Sequence, residues 1–228
     1  MRADPDLATI GAALADDGRA AMLLALLGGE RLTAGQLARH AQLSPSAASN
    51  HLRRLRELGL IVDQRAGRNR FFTLATHDLA DALEALTRVA PAKPVRNLRQ
   101  SHASAALRQG RTCYDHLAGR LGVAVTDALV KRGTLTKHRD AFSVSHRGHG
   151  WFAELGIDVA TVARSKRSFA RICSDWTEQR PHLAGALGAA ITDTFFEQNW
   201  IQRLPNSRAV KLTHAGEEFL TRELDASL

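Results

Sequence analysis

A chain of 228 residues with a formal net charge of +8 and a pI near 10.4 has room for one large domain or two small ones, and its charge favours a polyanionic partner, nucleic acid being the simplest. No apolar stretch approaches the roughly 20 residues that span a bilayer, and Met1-Arg2-Ala3-Asp4-Pro5 lacks the apolar run of a signal peptide, so the expectation is a cytoplasmic protein with no membrane partner. Its two cysteines are expected as reduced thiols rather than a disulfide, and alanine-rich segments with 5% aromatic residues point to a mainly α protein with short β-hairpins, an α+β fold.

Residues 14–74 read as one module. Thr33-Ala34-Gly35-Gln36 has the form of a capping box, which predicts a helix carrying Leu37 and Ala38 inward. A break at Gln42-Leu43 follows, then Ser44 as the cap and Pro45 in the first turn of a second helix. Leu52, Leu55 and Leu58 form its inward stripe and Gly59 ends it. Ser44, Ser46, Ser49, Asn50, Arg53 and Arg54 are left for other faces. A helix fits the major groove, where such side chains read base edges. Leu60-Ile61-Val62 and Phe71-Phe72-Thr73-Leu74 read as strands. Between them Gly67 permits a tight hairpin, and Arg65, Arg68 and Arg70 are placed to contact phosphates without reading sequence.

The ordered set Ala12–Arg19, Leu32–Ala38, Leu43–Leu52 and Leu58–Ile61 resembles the ArsR-type family of bacterial winged helix-turn-helix repressors over roughly residues 7–89. The resemblance implies a homodimer on palindromic double-stranded operator DNA, released by an effector. Residues near Leu7–Leu14 and Leu79–Val89 would pack the dimer. It also implies thiol and imidazole positions for metal sensing, from which this chain departs. Arg31–Leu37 holds no cysteine, and His77–Glu84 holds one histidine without a spaced second pair. Sensing is therefore expected elsewhere.

Ala90-Pro91-Ala92-Lys93-Pro94 interrupts the helical pattern. It divides a DNA-binding and dimerisation domain, 1–90, from a C-terminal domain, 95–228, for effector binding or assembly. Residues 95–111 resume a helical pattern with Arg96, Arg99, Arg108 and Arg111, which serve either as phosphate contacts or as a solvated face. An internal repeat then follows. Arg111-Thr112-Cys113-Tyr114-Asp115-His116-Leu117-Ala118-Gly119 is echoed by Arg171-Ile172-Cys173-Ser174-Asp175 and, after six inserted residues, His182-Leu183-Ala184-Gly185. Thr126-Asp127 matches Thr192-Asp193, and Phe142–Gly148 matches Val210–Gly216. Each copy is expected as helix, hairpin and helix, a winged-helix-like half. The turn Arg203–Arg208 is read as an ordinary one.

Cys113 and His116 stand three apart, on one side of a predicted helix. Cys173, Asp175 and His182 match them in the second copy. Two readings stand open at this point: an effector or metal site for a thiophilic ion, or core thiols retained by duplication with no cofactor. Adjacent Asp115 and His116 would diverge on a helix, so a relay to Cys113 is not expected. No Gly-rich phosphate loop, G-x-S-x-G elbow or H-E-x-x-H pair occurs, so an enzyme is not expected. The expected function is a sequence-specific regulator, a homodimeric repressor released by a small ligand or metal effector sensed in the C-terminal domain. The alternative is a nucleoid-type DNA-binding protein whose second domain serves only assembly.

Overall fold

The computed structural model describes residues 4–92 and 94–228. Met1, Arg2 and Ala3 of the N-terminal reading, and Lys93 of the proline segment, lie outside the described residues. The chain divides into two compact units. The first runs to Val89 and takes in Pro205–Ser207; the second is Ala90–Leu204 with Arg208–Leu228.

The first unit is α1 (Leu7–Leu14), α2 (Asp17–Leu26), β1 (Leu32–Thr33), α3 (Ala34–Ala41), α4 (Pro45–Glu57), β2 (Ile61–Ala66), β3 (Asn69–Leu74) and α5 (His77–Val89). The capping box at Thr33 and Gln36 starts α3, and Gln42, left-handed at φ 55, ends it. Ser44 then caps α4, with Pro45 in its first turn. Leu23, Leu26, Leu37, Leu52, Leu55 and Phe72 are buried together as the core-facing residues of these elements. Leu58 is only half-buried, at the C-cap. The hairpin strands run further than apolar content suggests, because a backbone ladder pairs whatever the side chains are. Arg65 faces Arg70 in register, and Gly67 and Arg68 make the turn. The short β1 joins beside β3, giving the order β1-β3-β2.

The second unit begins with α6 (Leu98–Gln109), which buries no residue. Its first repeat is β4 (Arg111–Cys113), β5 (His116–Ala118), α7 (Gly119–Lys131), β6 (Leu135–Lys137), β7 (Phe142–Val144) and α8 (His146–Glu154). After α9 (Val159–Ala163) the second repeats it: β8 (Arg171–Ser174), β9 (Pro181–Ala184), α10 (Gly185–Glu197), β10 (Ile201–Arg203), β11 (Val210–Leu212) and α11 (His214–Leu224). The expected helix, hairpin and helix is present in each copy, but the Cys–His segment before it is another hairpin, not a helix. Glycines bound that segment. Gly110 is extended and Gly119 sits at φ 74, where a Cβ would meet the Arg108 carbonyl oxygen at 2.6 Å.

The two copies interlock. Besides its own hairpin, α7 packs on β9 and α10 packs on β5. Arg111 bridges to Ala209 and Arg171 to Ala141, so each first hairpin also leans on the other copy's second hairpin. Thr126 Oγ1 accepts from Leu183 N at 2.9 Å. The Arg111 guanidinium donates to Asp175 Oδ2 at 2.8 Å with both side chains at most 1% exposed, and it lies 4.7 Å from the Trp176 ring centroid. Asp175 accepts further from Gly119 N, Thr177 N and Glu178 N. Leu121, Leu129 and Phe152 of one copy share a single core with Leu187, Phe195 and Phe219 of the other.

Trp151, Trp176 and Trp200, the only tryptophans, all lie in this unit, so their fluorescence in urea reports its unfolding. Arg111→Met leaves the Asp175 carboxylate buried without its cation and is expected to lower stability by about 3–5 kcal/mol. A Cβ at Gly122 or Gly188 would stand 2.3 or 2.7 Å from the carbonyl oxygen of Leu117 or Leu183. Gly122→Ala and Gly188→Ala are each expected to cost about 1–3 kcal/mol through overpacking.

Candidate functional site

Two sites emerge, one in each unit. On α4, Ala48, Leu52 and Leu55 turn inward, which leaves Ser46, Ser49, Asn50, Arg53 and Arg54 exposed. Ser44 is also exposed, but its hydroxyl is engaged: it accepts from Ala47 N at 3.3 Å and lies 3.1 Å from the Ser46 hydroxyl. Ser49 donates to the Pro45 carbonyl at 2.9 Å. Arg53 and Arg54 reach Glu57 at 3.5 and 3.7 Å. These are solvated pairs worth little, so a phosphate competes readily for either guanidinium. Arg65 and Arg68 sit exposed on the wing. Arg70 differs, being held 3.1 Å from Asp63, to which Arg56 also donates at 3.3 Å. Ser49, Arg53, Arg56 and Arg70 line a groove between α4 and the wing. Arg56 was missed from sequence, although its three-residue spacing from Arg53 places it on the same side of the helix.

In the second unit the structure corrects the placement of the cysteines and histidines. Cys113 pairs with His116 across the β4–β5 hairpin, and Cys173 pairs with His182 across β8–β9. Tyr114, left-handed at φ 60, turns the first hairpin. Two hairpins meeting between interlocked copies bring all four residues together. The two sulfurs stand 3.9 Å apart, the imidazole centroids 5.1 Å apart, and one donor atom from each residue lies within 4.8 Å of the others. All four are at most 2% exposed. Asp175, expected among the ligands, stands outside this group. Its carboxylate is taken by Arg111 and backbone amides, and Oδ2 lies 3.8 Å from His182 Nδ1. Asp115 holds the matching place, Oδ1 3.4 Å from His116 Nδ1, because a tight turn, unlike a helix, lets these neighbours meet.

The charges in the group support one another. Burial works to depress the His116 imidazole, but Asp115 and Cys173 outweigh it and raise it to about 9. Contact with the Cys113 thiol, against the opposing effect of burial and with His116 and His182 adding to it, holds the Cys173 thiol far below the ordinary thiol range. Burial raises Asp115, yet His116 and Arg167 bring it down to about 2. Asp175 is likewise raised by burial and more than compensated by Arg111, Thr177 and the amides of Gly119 and Glu178, so it falls below the carboxylate range.

Other sequence candidates separate. Arg96, Arg99 and Arg108 are exposed, whereas Arg111 is inside the core. Arg203 at the last turn lies 4.6 Å from the Phe196 ring centroid and donates to Thr112 Oγ1. The aromatic residues of the unit serve packing: Trp151 and Phe152 are core residues, and Trp200 stacks on Phe219 with centroids 3.6 Å apart. A cavity of about 490 Å³ opens elsewhere in the unit, lined by Val210, Leu212, Leu220 and Leu228.

Residues 16–62 match the model of the arsR family of bacterial regulatory proteins. The uncharacterized HTH-type transcriptional regulator YdfF of Bacillus subtilis (strain 168) is 39% identical over 225 residues, covering 99% of this chain and 100% of that protein. The HTH-type transcriptional regulator CmtR of Mycobacterium tuberculosis (strain ATCC 25618 / H37Rv) is 47% identical over 83 residues, 36% of this chain and 70% of that protein. Among solved structures, that of the cadmium metal-sensor CMTR from Mycobacterium tuberculosis is 42% identical with a TM-score of 0.32, covering 40% of this chain and 99% of that one. NolR from Sinorhizobium fredii is 26% identical with a TM-score of 0.35, covering 41% and 100%. No helix among the described residues is long and apolar enough to cross a membrane. With a winged helix-turn-helix whose polar face is left outward, and a relative alike along the whole chain, this protein belongs to the ArsR family of DNA-binding, HTH-type transcriptional regulators.

Proposed function

We propose that the protein is a homodimeric transcriptional repressor that leaves its operator when an effector reaches its second unit. The observation that carries the DNA part is the outward face of α4, where Ser46, Ser49, Asn50 and Arg53 are exposed, with Arg65 and Arg68 exposed on the wing. The α4 residues read base edges in the major groove, and the wing arginines hold phosphates. Dimerisation places two such faces on successive half-sites about 34–36 Å apart or a multiple of that. Leu7, Leu86 and Val89 support it: they are 75%, 46% and 79% exposed on α1 and α5. Leu83 is instead a core residue, 5% exposed. The buried thiol–imidazole group supports the second unit as the place where the effector acts. To release the operator, the effector must bind the DNA-free form more tightly than the DNA-bound form.

Selection from random DNA, followed by binding of the selected sequence at several salt concentrations, tests this reading. Asn50→Ala or Arg53→Ala is expected to cost about 1–3 kcal/mol and to relax preference at one base pair. Arg65→Ala or Arg68→Ala is expected to weaken all sequences alike and to reduce the salt slope by about one. Wild-type affinity in a variant lacking all four side chains would contradict the placement. A screen of metals, oxidants and small ligands for release then tests the effector, and specific binding that no ligand relieves would favour the assembly role.

For the dimer, sedimentation at micromolar concentration is expected to show two chains. Leu7→Glu with Leu86→Glu is expected to shift the protein toward one chain and weaken the operator complex. A wild-type monomer, with and without operator, would overturn the dimer.

A further inference from the structure

We propose that Cys113, His116, Cys173 and His182 form a four-coordinate site for one zinc-class cation, two ligands from each repeat, which locks the halves of the second unit together. This deepens the reading above by naming the chemistry of the buried group, and it rests on that reading only where operator binding is concerned.

The spacing fits first. Metal–sulfur bonds of about 2.3 Å in a tetrahedron put the two sulfurs about 3.8 Å apart, and here they stand 3.9 Å apart. The four donor atoms all lie within 4.8 Å of one another. Two thiols with two imidazoles make a set that zinc accepts and that oxygen-seeking cations do not.

The surroundings fit as well. A carboxylate from the same hairpin stands behind each imidazole, Asp115 at 3.4 Å from His116 Nδ1 and Asp175 at 3.8 Å from His182 Nδ1. Arg167 anchors the first carboxylate and Arg111 the second. Asp115 is so placed that it orients the His116 ring from behind and leaves Nε2 for the ion, whereas Asp175 lies near His182 without a hydrogen bond to it. Among the described residues, Nε2 of both histidines and Nδ1 of His182 are buried without a hydrogen-bond partner, the state that a bound cation relieves at one nitrogen of each ring. A Cys113–Cys173 disulfide would account for the sulfurs alone, and for neither the imidazoles nor the carboxylates. With four buried protein ligands the site is closed and leaves no position for a substrate. An ion held so acts by joining the two repeats rather than by chemistry on a substrate, and its gain or loss is what would reach the operator.

Titration of the reduced full-length protein with Co2+ alone tests this. The expected result is one equivalent per chain, the intense visible bands of tetrahedral Co2+ with a thiolate charge-transfer band, and displacement by equimolar Zn2+. The zinc-loaded protein is expected to resist urea better than the chelator-treated protein by tryptophan fluorescence. Cys113→Ser and His182→Gln are expected to abolish the tetrahedral spectrum. Asp115→Asn is expected to keep the spectrum but weaken zinc binding about 10–100-fold. Wild-type protein that binds neither ion at micromolar concentration overturns the proposal even if every variant fails to fold. So does a tetrahedral spectrum that survives in folded Cys113→Ser, or a reduced protein that takes no ion and an oxidised one that forms the disulfide. An ion bound with unchanged operator affinity leaves the site standing and removes it as the effector. Operator release by another ligand, from a protein that binds no ion, overturns the site and leaves the regulatory reading intact.

Discussion

The second unit depends on one buried exchange, the guanidinium of Arg111 in the first repeat on the carboxylate of Asp175 in the second. Neither group tolerates burial alone, so the copies must come together for either to be satisfied. The same carboxylate accepts from Gly119 N at the start of α7. One side chain therefore ties the first copy's hairpin and helix to the second copy's turn. The crossed packing of α7 on β9 and α10 on β5 follows the same rule. The apolar residues of both copies form one shared core, so each copy's core is continued by the other's. The same approach of the copies brings two cysteines and two histidines together, since each hairpin carries one of each on facing positions.

The first unit is built by different means. Its helices are fixed locally, by Asp16 on α2, by Thr33 with Gln36 on α3 and by Ser44 on α4. Each cap satisfies amides that an isolated helix end leaves open. With the inward stripe of α4 committed to the core, its remaining side chains have only solvent or a ligand to meet. From Ser44 to Arg70 six arginines stand against Glu57 and Asp63, so this stretch carries much of the positive charge of the whole chain. Charge at that density attracts a phosphate backbone before any base is read.

The local signals in the first unit were legible in the sequence because capping boxes, proline at a first turn and apolar spacing act over four or five residues. The wing was underestimated in length, because apolar content marks where a strand is buried and not where its ladder ends. In the second unit the repeat was legible, and so was the equivalence of Cys113 with Cys173. The helix expected over Cys113–His116 was wrong, because a three-residue spacing also closes a two-residue turn. A signal against it was present. The second copy carries six more residues between its cysteine and histidine, and a turn between strands absorbs such an insertion where a helix face does not. The crossing of the copies left no trace in spacing, since contacts such as Arg111 with Asp175 are made 64 residues apart.

That separation orders events during synthesis. A chain growing from its N-terminus can close the first unit's caps, turns and hairpin from neighbours already made. The first repeat cannot do the same, because the partner of Arg111 and the strand that covers α7 have not yet been translated. For the length of one repeat, the side of its apolar helix that the second copy covers waits exposed while the DNA-reading head is already finished. A chain stopped in that interval carries the head and an exposed half-core, a species suited to aggregation and to degradation.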